Sequence, residues 1–117
     1  IRFADKLNYT ISIPQSLLNH PILPMSVLTL VENSIKHGIE KQKGIGTINI
    51  IGEINNKNML SIVVKDNAGL MTNNHYGIGI SNLLARMKVT YGIKAHFSLS
   101  CEPNSVTMAT IEVPSND

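Results

Sequence analysis

Apolar residues recur with period two along several stretches of the chain. Leu7, Tyr9, Ile11 and Ile13 share one parity, with mostly polar residues between them, and Pro14 ends the run, which predicts a first strand. Two apolar-rich runs, TINIIGEI (47–54) and MLSIVVKD (59–66), flank the polar turn Asn55–Asn58 and predict a hairpin. KAHFSLSC (94–101) and SVTMATIEV (105–113) predict a closing hairpin around Glu102–Ser105. The period becomes helical twice. Leu28, Val31, Ile35 and Ile39 follow Pro21 and Pro24 at helical spacing, predicting a helix to about Ile39 with these residues as its core-facing stripe. Ile80, Leu83, Leu84, Met87 and Tyr91 predict a second helix, stopped by Gly92. Gly38, Gly44 and Gly46 mark a loop, and DNAGLMTNNHYG (66–77), without periodicity, reads as a long loop of the lid or binding type.

The predicted order is strand, helix, hairpin, loop, helix, hairpin. Consecutive hairpins imply a mostly antiparallel sheet, and two helices on one face give an α+β, two-layer sandwich. A length of 117 residues suits one domain spanning 1–117. Hydrophobic residues at 43% and charged residues at 15% exclude a disordered or fibrous chain. No apolar run approaches the roughly 20 residues of a membrane span. A net charge of +2, with no Trp and few other aromatic residues, argues against nucleic acid as a partner. Cys101 is the lone cysteine, which excludes a disulfide framework and a cysteine metal site. Its alternation with Ala95, Phe97 and Leu99 predicts a buried strand position. The opening IRFADKL lacks an initiator Met and reads as a cut from something longer.

Three polar features stand out from this pattern. Glu32, Asn33, Lys36 and His37 fall on one helical arc of roughly 140°, beside the apolar stripe. A solvated face and a binding face both fit that arc. Asp66 shares parity with Leu60, Ile62 and Val64, so its carboxylate points to the apolar face and needs hydrogen-bond donors, or else caps the following turn. GIGISN (77–82) puts two glycines before the second helix, where open backbone amides suit an anion and a flexible turn is the plainer alternative. The chain has no Walker loop and lacks the βαβ unit of a Rossmann fingerprint.

In order, LVENSIKHG, VVKDNAG and YGIGISNLLARMKVTYG resemble the asparagine box and the two glycine boxes of the GHKL ATPase superfamily. Their wording is closest to the LytS-type sensor histidine kinases, and RFADKL is similar to the stretch leading into their catalytic domain. The resemblance covers essentially the whole chain and implies the histidine kinase-like sandwich, a mixed, mostly antiparallel sheet with helices on one face. It implies Mg-ATP as the nucleotide, with Asn33 holding Mg²⁺ through its amide oxygen. Glu32 would orient a metal-bound water or polarise the reacting group, and Lys36 and His37 would face the phosphates. Asp66 would accept from the adenine 6-amino group, and Gly69 would let the backbone pass close to the base. Gly77 and Gly79 would bring amides to the phosphates. Asn67, Ile78, Asn82 and Arg86 complete the implied nucleotide-binding set. Ala68 stands where a common form of the box, D-x-G-x-G, has its first glycine, a departure that bears on nucleotide affinity.

The resemblance further implies a phosphoacceptor histidine on a dimerisation helix. His20, His37, His75 and His96 do not lie on a helix of that kind, so the acceptor is expected outside this chain. The implied whole is a membrane-bound homodimeric sensor of a bacterial inner membrane, with this chain as its cytoplasmic catalytic fragment. Its partners would be ATP, the dimerisation domain of the same sensor and a response regulator. Alternatives with related boxes are an anti-sigma-factor serine kinase, a GHKL chaperone or topoisomerase with much more chain, and a non-catalytic nucleotide sensor.

Overall fold

The computed structural model describes residues 7–20, 23–37, 46–67, 78–102 and 106–115. Its elements are β1 (Leu7–Ser12), α1 (Leu23–His37), β2 (Gly46–Ile54), β3 (Met59–Asp66), α2 (Ile78–Tyr91), β4 (His96–Glu102) and β5 (Val106–Pro114). The strands form one five-stranded sheet in the order β1-β2-β3-β5-β4. β1 runs parallel to β2, and every other neighbour pair is antiparallel. Both predicted hairpins form. The parallel pair follows from α1, which carries the chain back between β1 and β2 as a helical crossover. The chain therefore does contain one βαβ unit, contrary to the sequence expectation, although no glycine-rich fingerprint opens its helix.

Local chemistry sets the turns. In the β2–β3 turn, Asn58 takes the left-handed conformation (φ 59°), which an asparagine tolerates at low cost. The Asn55 Oδ1 accepts from the amides of Lys57 (2.9 Å) and Met59 (3.0 Å), closing the turn from inside. Gly92, at φ 60°, ends α2, and Gly92–Lys94 form a single 3₁₀ turn. That turn delays β4 to His96 rather than Lys94.

The core lies between the sheet and the two helices. β2 contributes Ile48 and Ile50, β3 Leu60, Ile62 and Val64, and β5 Ala109, Ile111 and Val113. α2 inserts Ile80, Leu83 and Met87, as its periodicity predicts. α1 departs from expectation. Its buried side is Ser26, Leu30, Asn33 and Ser34, whereas Leu28, assigned to the core stripe, is 61% exposed. Val31 and Ile35 pack against the core from the helix flank, half-buried. The helix has thus turned so that small polar side chains and one leucine meet the sheet. Side-chain polarity alone does not reveal such a rotation when buried polar groups lie at a site. The predicted loop at 68–77 and Ile39 of the predicted stripe lie outside the described residues. Among the described residues, no helix is long and apolar enough to cross a membrane.

Candidate functional site at one end of the sheet

Strand directions gather one set of termini. The end of β3 meets the start of β2 through Asp66 opposite Ile48, and the start of β5 through Asp66 opposite Thr107. The end of β4 joins the same row, with Cys101 opposite Thr107. The opposite end of the molecule is marked by His20, whose Nε2 lies 3.2 Å from the Pro114 carbonyl oxygen and whose ring lies 6.5 Å from that of Tyr91. α1 follows His20 and α2 ends at Tyr91. The helices accordingly run antiparallel, α1 toward the Asp66 end and α2 away from it. Contacts agree: a side chain on Gly79 would meet Thr29 Cγ2 at 3.6 Å, while Arg86, farther along α2, reaches back to Met25.

This arrangement brings the asparagine helix, the end of β3 and the start of α2 to one end of the sandwich. Asp66 is 2% exposed, with its side chain on the face shared by Leu60, Ile62 and Val64, as its parity predicts. Asn33 is 8% exposed, one helical turn beyond Thr29 and so one turn from Gly79. Glu32, its neighbour in sequence, points outward and is exposed. Asn67 extends the ladder by one residue. Its amide donates to the Thr47 carbonyl (3.2 Å) and its Oδ1 accepts from the Thr47 amide (2.9 Å), a clasp that fixes the rim beside Asp66.

Of the remaining sequence-derived residues, Gly79 and Asn82 are exposed on the first turns of α2. Arg86 is exposed and turned away from this end, with Nη1 2.9 Å from the Met25 Sδ. Lys36, His37 and Ile78 are helical, with side chains outside the described set, and Gly69 and Gly77 lie outside the described residues. Sequence reasoning missed Thr107. It is 5% exposed, directly across from Asp66, and its hydroxyl donates to the Cys101 Sγ at 3.7 Å. The signal was available: Thr107 ends an inward row of Ala109, Ile111 and Val113, just as Asp66 ends the row of β3. Cys101 itself is half-buried rather than enclosed.

Among the described residues, no group of three or more His, Cys, Asp or Glu side chains is arranged to hold a metal. The Asn33 amide oxygen is of the ligand type that a hard cation accepts.

No family model matches the chain. Solved structures do. The sandwich is similar to the histidine kinase domain of the blue-light activated histidine kinase of Erythrobacter litoralis EL346, with a TM-score of 0.73 at 14% identity over 92% of this chain and 54% of that one. It is also similar to full-length ShkA, solved in complex with AMPPNP, with a TM-score of 0.62 at 14% identity over 93% of this chain and 25% of that one. The fold is that of the histidine kinase ATPase domains. In sequence, the chain is 30% identical over 118 residues to the sensor histidine kinase BtsS of Escherichia coli, covering 99% of this chain and 21% of that protein. It is 44% identical over 68 residues to the sensor protein LytS of Oceanobacillus iheyensis, covering 56% of this chain and 11% of that protein. The chain belongs to the LytS-type sensor histidine kinases, as their catalytic, ATPase-type domain.

Proposed function

We propose that this chain, acting as a single domain of a longer sensor, binds Mg-ATP at the Asp66 end of the sheet and donates the γ-phosphate to a histidine outside itself. A response-regulator aspartate would receive the phosphate next. The observation that carries the reading is Asp66, a carboxylate 2% exposed at the end of an apolar strand face. Such a carboxylate is suited to accept from an exocyclic amino group of a base inserted between sheet and helices. The Asn33 amide would hold the cation from α1, and the first turn of α2 would present backbone amides to the phosphates. When bound, Mg²⁺ neutralises charge across the phosphate oxygens. Glu32, exposed beside Asn33, would orient a water or polarise the reacting group. The chain's share of catalysis is then positioning and charge complementarity, which phosphoryl transfer chiefly requires. The AMPPNP complex of ShkA supports the nucleotide, and the sensor-kinase relatives support the acceptor and regulator as partners. In the same reading, the chain is a cytoplasmic domain of a membrane sensor.

Calorimetric titration with ATP and ADP in Mg²⁺ tests the site. The wild-type chain should bind both, and Asp66→Asn should weaken binding at least about tenfold, the loss expected of one charge-assisted hydrogen bond. Incubation with labelled ATP tests the external acceptor. The chain alone should stay unlabelled, and stable phosphohistidine on it would overturn that part of the reading.

A further inference from the structure

α2 ends and β4 begins on the side of the molecule away from Asp66, and a cavity of about 430 Å³ opens between them. Leu84 and Met87 of α2 and Ala95 and Phe97 at the start of β4 form its apolar walls. Period accounts for this lining. Met87 reaches the core with Leu84 beside it, and Phe97 shares the helix-bearing face with Ile111, its partner on β5. Among the described residues β4 is an outermost strand, so no further strand closes the groove beyond Phe97. The Gly92–Lys94 turn supplies the rim, where a Cβ on Gly92 would meet nothing within 4 Å and Ile93 is 94% exposed. A concave apolar space of this volume falls in the range that holds small ligands.

The polar groups at the cavity are Lys88 and His96. Between Asp66 and Glu102 the sequence carries Arg86, Lys88 and Lys94 and no carboxylate. Glu112 of β5 lies across from His96, but its Oε2 accepts from the Asn55 Nδ2 at 2.6 Å, on the β3 side. A lysine beside an apolar cavity, with no carboxylate on its own helix, suits a ligand that joins a hydrocarbon body to an anionic head. We propose that this cavity binds a small amphipathic carboxylate. Its body would lie against Leu84, Met87 and Phe97 and its head at Lys88, with a His96 ring N–H as a second donor. The last carbonyls of α2 disfavour an anion, so Lys88, nearly one turn before Tyr91, decides where the head lies. None of these residues belongs to the Asp66 end, so the site is separate from the proposed nucleotide site.

Octanoate is the probe, and octanamide is its neutral counterpart with the same chain. Calorimetry on the wild-type chain should show one octanoate bound per chain, and octanamide bound more weakly. Amide shifts in NMR spectra recorded during the octanoate titration should move at residues 84–97 and stay fixed at Thr47, Asp66, Asn67 and Thr107. Lys88→Gln should weaken octanoate about threefold to fivefold, the scale of a partly exposed ion pair, and leave octanamide unchanged. Ala95→Leu, which fills the cavity, should abolish binding of both, with its melting temperature reporting whether the fold is kept. Absence of octanoate binding to the wild-type chain overturns the inference, as do shifts centred on the Asp66 end or scattered over the surface. Equal affinity for octanoate and octanamide, unaltered in Lys88→Gln, overturns the anionic class of the ligand. The wild-type shifts and the Lys88→Gln comparison decide the matter even if Ala95→Leu fails to fold.

Discussion

Asn33 carries two demands at once. It is 8% exposed on the buried side of α1, and it is the amide proposed to hold the cation. A substitution therefore touches stability as well as function, whereas its place on a merely polar arc would have predicted little cost. Asn33→Ala should abolish phosphotransfer in the intact sensor and lower stability by about 1 kcal/mol, the usual scale for truncating a buried polar side chain. Chemical denaturation beside a phosphotransfer assay separates the two effects. Full activity would remove Asn33 from the proposed site. Asn67 makes a different claim. Its side-chain and backbone bonds to Thr47 close the β2–β3 rim, so Asn67→Ala should cost about 1 kcal/mol through lost hydrogen bonding, read as a lower melting temperature.

Among elements, the two helices and the sheet edge respond differently to added methyl groups. Gly79 opens toward ordinary contact only, with the nearest atom for a new Cβ at 3.6 Å on Thr29. Gly79→Ala should keep or slightly raise the melting temperature, since alanine favours helix by up to about 1 kcal/mol over glycine. It should still weaken nucleotide binding if the first turn of α2 faces phosphates, because the methyl group crowds the amides. A variant with unchanged affinity would disconnect α2 from the phosphates. Gly52 is the contrasting case. A Cβ there would lie 3.1 Å and 3.3 Å from the two Cγ atoms of Ile13, just where the chain leaves β1. Those atoms sit in a half-buried branched side chain with little freedom to move, so Gly52→Ala should destabilise by about 1–2 kcal/mol. A denaturation midpoint equal to wild type would mean that β1 shifts freely on the edge of the sheet.

Across the whole molecule, the two ends of the sandwich are chemically distinct. The Asp66 end gathers polar groups, while at the other end His20 meets Tyr91 and the Pro114 carbonyl. Burial raises the Tyr91 phenol above its ordinary value of 10.0, because the folded state disfavours the phenolate. The stability that this neutral phenol supports is whole below pH 10 and is lost as pH climbs through the raised value. Thermal melts from pH 8 to 11.5 should show a steeper alkaline decline for wild type than for Tyr91→Phe, which has no proton to lose. Parallel alkaline limbs for the two proteins would assign the decline to other groups.

What the sequence determined by itself was whatever depends on local period and turn chemistry. The β2–β3 hairpin follows from two apolar runs around Asn55–Asn58, the stop of α2 from Gly92, and the inward carboxylate of Asp66 from its parity with Leu60, Ile62 and Val64. The family resemblance likewise rests on short runs of residues, Asn33 and Gly79 among them. Tertiary structure decided what depends on pairing between distant segments. Periodicity cannot say which strand lies beside β3; the sheet chose β5, and so set Thr107 opposite Asp66 and Cys101 opposite Thr107. Nor could it rotate α1 correctly. A helix buries the side that fits its neighbours, and here Ser26, Asn33 and Ser34 fit closely against the sheet while Leu28 was left facing out. Polar residues are buried only where a fold or a ligand can satisfy them, and both conditions are properties of the assembled molecule rather than of the order of its residues.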